Sequence, residues 1–343
     1  MSKLNGSRLV ALSACVFAAC AAPAAHAEWY SRVDDGIMGT RISMELWAED
    51  PASAGRAIDA VLAEMRRVDE LMSTYKPTSQ LSKVNAEAAQ HPVAVTPELF
   101  KLLETSLEYS EITGGAFDIT YASVGYLYDF RRHIHPSEEA IDKALPGINY
   151  RHVLLDGAHT TVRFSQAGVR IDLGGIAKGH AVDRAIAILE TFGIRHAVVS
   201  AGGDSRVIGD RFGKPWVIGI RNPRAADPRE FITRIPLEDA AVSTSGDYER
   251  FFDEGGVRYH HIIDPKTGHS ASKVLSATII GPTATRTDGL SKTAFVLGPE
   301  ECLRLIDRLG DVDAVLVAPD GRILYSKGLQ PPDAAASAAS GQH

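Results

Sequence analysis

The segment Ile171-Asp172-Leu173-Gly174-Gly175-Ile176-Ala177-Lys178-Gly179-His180 restricts the fold more than any other stretch of the chain. It predicts a short strand over 169–172 that ends on a carboxylate, two glycines that let the backbone turn tightly, and then a lysine at the start of a helix. A helix N-terminus carries free backbone N–H groups, and with Lys178 beside them the turn suits phosphate oxygens. Asp172 would accept from a hydroxyl or amine on the same ligand. The plainer alternative is a glycine-rich strand-to-helix turn with a surface lysine.

Around this segment the periodicities are mixed. Ile58, Val61, Leu62, Met65, Val68 and Met72 recur at helical spacing and predict an amphipathic helix over 54–73. A second helix starts at Thr96 as cap with Pro97 in the first turn, buries Leu99, Leu102, Leu103 and Leu107, and ends at Gly114-Gly115. Alternation predicts strands at 41–47, 197–200, 216–220, 240–243 and 274–280. It also predicts hairpins over 152–164 and 315–326, while 181–189, 288–297 and 300–309 read as helices. Strands that come in hairpins as well as singly, with helices between them, give an α+β fold rather than an alternating parallel sheet. No G-x-G-x-x-G follows the early strands, which weighs against a dinucleotide-binding Rossmann domain.

Five further clusters carry polar chemistry. Ala201-Gly202-Gly203-Asp204 is a second glycine pair, serving either a ligand or a chain reversal. Gly114-Gly115-Ala116-Phe117-Asp118 sets an aromatic and a carboxylate after a helix end, where Phe117 would border a flat ring or fill the core. Ser243-Thr244-Ser245-Gly246-Asp247 is dense in hydroxyls and reads best as a polar turn. His260-His261 places two imidazoles on opposite faces of a strand, so at most one faces a site. Finally, Asp288 shares a helix face with the residues three to five positions on, a hard-oxygen arrangement suited to Mg²⁺, unless Asp288 is simply the helix cap.

The ends read differently. Lys3 and Arg8, an apolar run from Leu9 to Ala22 and Ala25-His26-Ala27 form an export leader over 1–27. The run is shorter than the roughly 20 residues of a membrane span. Cys15 and Cys20 sit in lipoprotein-like contexts, an alternative processing route that would tether the chain at the inner membrane. Either route puts the mature protein outside the cytoplasm. Cys302 alone remains after the leader, so no internal disulfide is expected, and its helical context marks it as a core residue. The net charge of -7 argues against a nucleic-acid partner or an anionic membrane surface. The folded part is expected over 28–329, with a frayed Pro/Ala/Ser tail over 330–343.

Taken in order, Met38-Gly39-Thr40, Ser73-Thr74-Tyr75, Gly115-Ala116-Phe117-Asp118, the 172–179 segment, Gly202-Gly203-Asp204, Thr244-Ser245-Gly246-Asp247-Tyr248, His261-Ile262-Ile263-Asp264-Pro265 and Asp288-Gly289-Leu290-Ser291 resemble the ApbE family of FAD:protein FMN transferases. The resemblance runs from Met38 to Leu329. It implies an α+β fold related to the T-fold and a periplasmic, magnesium-dependent enzyme. That enzyme would move FMN from FAD to a threonine of an exported acceptor protein and release AMP. By motif, Met38, Tyr75, Ala116, Phe117, Asp118, Asp172, Lys178 and Ile262 would line the FAD site. The Gly175 carbonyl and Asp288 would hold Mg²⁺, and His261 would be the base toward the acceptor hydroxyl. One position departs from the pattern: many members carry a metal-ligating threonine where this chain has Lys292, and an ammonium has no lone pair to give a cation. Either Ser291 or a water then completes the sphere, or Lys292 supplies part of the charge. The same site with water as acceptor would be an FAD pyrophosphatase, and without turnover a flavin-binding accessory protein.

Overall fold

Eight strands form the main sheet in the order in which the chain makes them. They are β1 (Glu28–Ile37), β2 (Thr40–Ala48), β3 (Ala197–Ala201), β4 (Asp204–Ile208), β5 (Ala241–Gly246), β6 (Ser276–Gly281), β7 (Asp313–Val317) and β8 (Ile323–Tyr325). Every neighbouring pair is antiparallel. The structure is a computed structural model that describes residues 27–227 and 229–329; most of the leader, with Cys15 and Cys20, and the tail lie outside the described residues.

Alternation along the strands builds two layers. Ala197, Val199 and Ala201 of β3 face a helical core with Ile208 and Ala241, while Val198, Val207 and Val242 face the other way, toward Trp216 and Leu237. The first face is covered by α1 (Pro51–Met72), α2 (Pro97–Ile112) and α3 (Ala177–Thr191), and the second by the hairpin of Trp216–Arg221 with Phe231–Leu237. The α+β expectation therefore holds. Beyond β6 come α4 (Ala284–Ser291), α5 (Thr293–Leu297) and α6 (Pro299–Leu309), whose Cys302 is fully buried as expected.

Local signals placed the helices well. Thr96 accepts from the Leu99 N–H and Pro97 occupies the first turn of α2, while Asp50 caps α1 at Ser53. Three expectations need correction. Residues 169–172 form no strand: the Asn85 side chain bonds both the Ile171 N–H and its carbonyl at 2.8 Å, taking the place a neighbouring strand would fill. The 288–297 helix starts earlier, at Ala284, is capped by Thr283 rather than Asp288, and divides at Lys292. The hydroxyl-rich 243–246 stretch is the body of β5, not a turn.

Candidate active site

Gly179 is the point where α3 and α4 touch. A Cβ built there would lie 2.2 Å from the Ala284 carbonyl oxygen and 2.8 Å from the Asp288 Cβ, so only glycine lets the helices meet. The Gly179 N–H donates to Asp288 Oδ2 at 3.0 Å, and Asp183 of α3 accepts from the Ala284 and Thr285 N–H groups at the start of α4. Gly179→Ala is expected to cost about 3 kcal/mol or more, the upper end of overpacking because the clash is with backbone. A fall in the urea midpoint without change in slope would check this.

This contact assembles four charges. Lys178 pairs with Asp204 at the start of β4 and stands 3.9 Å from Asp288 Oδ1, while Lys292 pairs with the same Asp288 oxygen. Asp288 is fully buried and Asp204 is 1% exposed. Burial lowers the Lys178 pKa, but the charges of Asp204 and Asp288 outweigh it and hold the group above ordinary lysine. Burial works against the Asp288 carboxylate too, yet Lys178 and Lys292 keep it below the usual range. Asp204 moves upward, through its own burial and the nearby Asp288 charge. Two carboxylates and two ammoniums thus cancel in a nearly dry site.

His261 follows the Val257–His260 strand and bonds to the Arg250 carbonyl through its backbone N–H at 3.1 Å. The residue keeps some exposed surface, but its Nδ1 is buried and has no hydrogen-bond partner. Burial first, then His260, Arg250, Lys292 and Lys178, depress its pKa from 6.5 to about 3. The ring is neutral at pH 7 and offers a free lone pair. Because the folded pKa lies below the unfolded one, the unfolded chain binds the extra proton, and stability falls as pH drops from about 6.5 toward about 3. A His261→Gln variant is expected to lose less stability than the parent between those limits, measured by urea unfolding at successive pH values. Met38 and Gly39 form the turn between β1 and β2 with φ of 54° and 66°, and the Arg250 guanidinium reaches the Gly39 carbonyl at 3.4 Å.

A second group lies at the 172–175 turn. Asp172 accepts from Thr74 Oγ1 at 2.7 Å, the Tyr121 hydroxyl at 3.1 Å and the Gly174 N–H at 2.6 Å. It is a latch across three segments, and Tyr75, 86% exposed, stands next to Thr74 as an open aromatic face. Phe117 is buried with its ring against Gly175, where an added Cβ would lie 3.3 Å away. Asp118 turns inward: it accepts from the Thr120 and Tyr150 N–H groups at 2.8 Å, and burial raises its pKa. Ala116 and Ile262 pack in one buried cluster. The fold therefore brings Lys178, Asp288, Gly175 and Phe117 together, with Lys178 acting electrostatically on His261. Asp118, Ala116 and Ile262 are core-facing. Site reading missed Asp204 and Arg250, though Asp204 closes the Gly202-Gly203 turn and Arg250 follows the motif ending at Tyr248.

Magnesium does not fit the residues present. Asp288 has one oxygen on Lys292 and the other on Gly179, and Ser291 Oγ is bonded to Ser245 Oγ at 2.8 Å and to the Asp288 carbonyl at 2.9 Å. The Lys292 stem lies 4.0 Å from where a Gly175 Cβ would be, so its chain spans the expected ligands Gly175 and Asp288. A dication there would meet two ammoniums in place of free oxygens. Among the described residues no group of three or more His, Cys, Asp or Glu is arranged to hold a metal ion.

The family model of the ApbE family matches residues 38–316. An FAD:protein FMN transferase of Treponema pallidum is 34% identical over 318 residues, covering 88% of this chain and 87% of that protein. Another from Klebsiella pneumoniae is 30% identical over 293 residues, covering 84% and 90%. The crystal structure of the ApbE protein of Thermotoga maritima superposes with a TM-score of 0.80 at 36% identity, over 88% of this chain and 98% of that one. The flavin transferase ApbE of Vibrio cholerae gives 0.76 at 29%, with the same coverage. The chain belongs to the ApbE family and is a transferase.

Proposed function

We propose that this ApbE-family transferase moves the FMN half of FAD onto a threonine hydroxyl of an exported flavoprotein and releases AMP. The observation that carries the reading is a neutral His261 with a free buried Nδ1, beside two lysines held in a closed charge cluster. The names of the relatives supply the substrate pair. The export leader in the sequence supports a reaction outside the cytoplasm, in the periplasm for a cleaved leader.

The chemistry balances on this chain's own residues. The acceptor oxygen bonds to the flavin-side phosphorus, the bridging P–O bond breaks, and its electron pair leaves with AMP. The hydroxyl proton passes to His261, whose basicity rises once two negative phosphates lie beside it. Lys178, Lys292 and Arg250 face the charge that develops on the phosphates. Tyr75 offers a ring for the flavin, and the Asp172 latch holds the turn beneath it. Magnesium, which the resemblance implies, is left out because the donors expected for it are already bonded.

Intact-mass analysis tests the reading. Incubated with FAD, the acceptor domain is expected to gain one FMN phosphoester with an equal amount of AMP, and its threonine-to-alanine variant to gain none. Free FMN and AMP with an unmodified acceptor would indicate a pyrophosphatase instead, and FAD left intact an accessory flavin-binding protein.

A further inference from the structure

We infer that Lys292 stands in for the divalent cation at this site, so that phosphate transfer by this chain runs on a fixed ammonium and needs no magnesium. The inference rests on the transferase reading above. Its ground is position: the Lys292 stem passes Gly175, and its Nζ ends on the Asp288 carboxylate and, at 3.1 Å, on the Asp288 carbonyl. Those are the groups that would otherwise face a metal.

Charge gives a second argument. With Lys292 in place, Asp204 and Asp288 are already balanced by Lys178 and Lys292. Before FAD binds, a dication added to that set leaves two uncompensated positive charges beside carboxylates that are almost wholly buried. Without Lys292, the same two carboxylates would face one lysine, and a cation would be required. A lysine ammonium has three donors, two of which are used on Asp288, so one remains for a phosphate oxygen. The side chain keeps 17% of its surface exposed, which leaves that approach open.

An ammonium also differs chemically from a metal ion. It can donate a hydrogen bond to the departing AMP oxygen as negative charge builds there. It does not require a phosphate to complete a coordination sphere. FAD binding should then be insensitive to chelators, whereas a cation-bridged pyrophosphate would be released by them.

The test uses the mature protein dialysed against EDTA, with FMN transfer followed in EDTA and in MgCl₂, and Mn²⁺ binding followed by electron paramagnetic resonance. The parent is expected to transfer at rates within about twofold under both conditions and to leave Mn²⁺ free. Lys292→Thr is expected to fall by more than about tenfold in EDTA, to recover with Mg²⁺ and to bind Mn²⁺. A parent that loses more than about tenfold in EDTA and is restored by Mg²⁺, or that binds one Mn²⁺, overturns the inference. If Lys292→Thr fails to fold, the parent's metal profile decides alone. If no transfer occurs under either condition, the transferase reading fails and the inference falls with it; one Mn²⁺ bound to a parent that does transfer overturns the inference alone.

Discussion

His261→Asn is expected to lower FMN transfer by about 10²–10⁴-fold, the usual worth of a positioned general base. Asparagine keeps a polar side chain but cannot accept the acceptor's proton at neutral pH. The loss should fall on kcat, with FAD affinity changed by less than about twofold, because the imidazole meets the acceptor hydroxyl and not the adenine or flavin. His260 supplies the control. It is 2% exposed and packs on Phe295 at 5.9 Å between ring centres. His260→Gln should lower stability and leave kcat near the parent's. Equal losses of kcat in both variants would mean that the strand, not His261 itself, carries the effect.

The second large effect belongs to Lys178. Lys178→Met removes one partner of a buried pair and leaves the Asp204 carboxylate, 1% exposed, without its ammonium. Such a loss costs about 3–5 kcal/mol, because the remaining charge keeps its desolvation penalty. Asp204→Asn in the same chain removes that charge, and the double variant should regain most of the stability, measured by urea unfolding. It should not regain activity, because the phosphates would still lack Lys178. Recovery of both would reduce Lys178 to a structural residue; recovery of neither would mean that the pair holds the β4 turn in another way.

What could be read from the sequence divides by distance along the chain. The cap of α2 was legible because Thr96 bonds to a residue three positions away. The 172–179 segment was recognised as a turn into a helix for the same reason. The supposed strand at 169–172 was not, because its hydrogen bonds come from Asn85, far earlier in the chain. β1 left little trace, since most of its residues are at least partly exposed and only Ile37 is buried. An edge strand with no buried face has no alternation to detect.

The site shows the same division. Lys178 was legible as a functional lysine, but its partner Asp204 lies on a separate element, and the pairing exists only because β4 leads away from the Gly202-Gly203 turn beside α3. Asp118 and Asp172 look alike in sequence, each a carboxylate next to a glycine pair. Folding separates them: Asp118 is sealed against Tyr150, while Asp172 ties the turn to Thr74 and Tyr121. Lys292 stood out in sequence as a lysine where an oxygen ligand was expected. The fold gives that departure a meaning by laying the side chain across Gly175 onto Asp288.

The central claim is that one phosphorus of FAD changes partners, and labelled phosphorus follows it directly. FAD carrying the label on its flavin-side phosphate should leave that label on the acceptor protein and yield unlabelled AMP. FAD labelled on the adenosine side should yield labelled AMP and an unlabelled, flavinylated acceptor. Flavin-side label recovered as free FMN, or left in intact FAD, with nothing on the acceptor, would contradict the account.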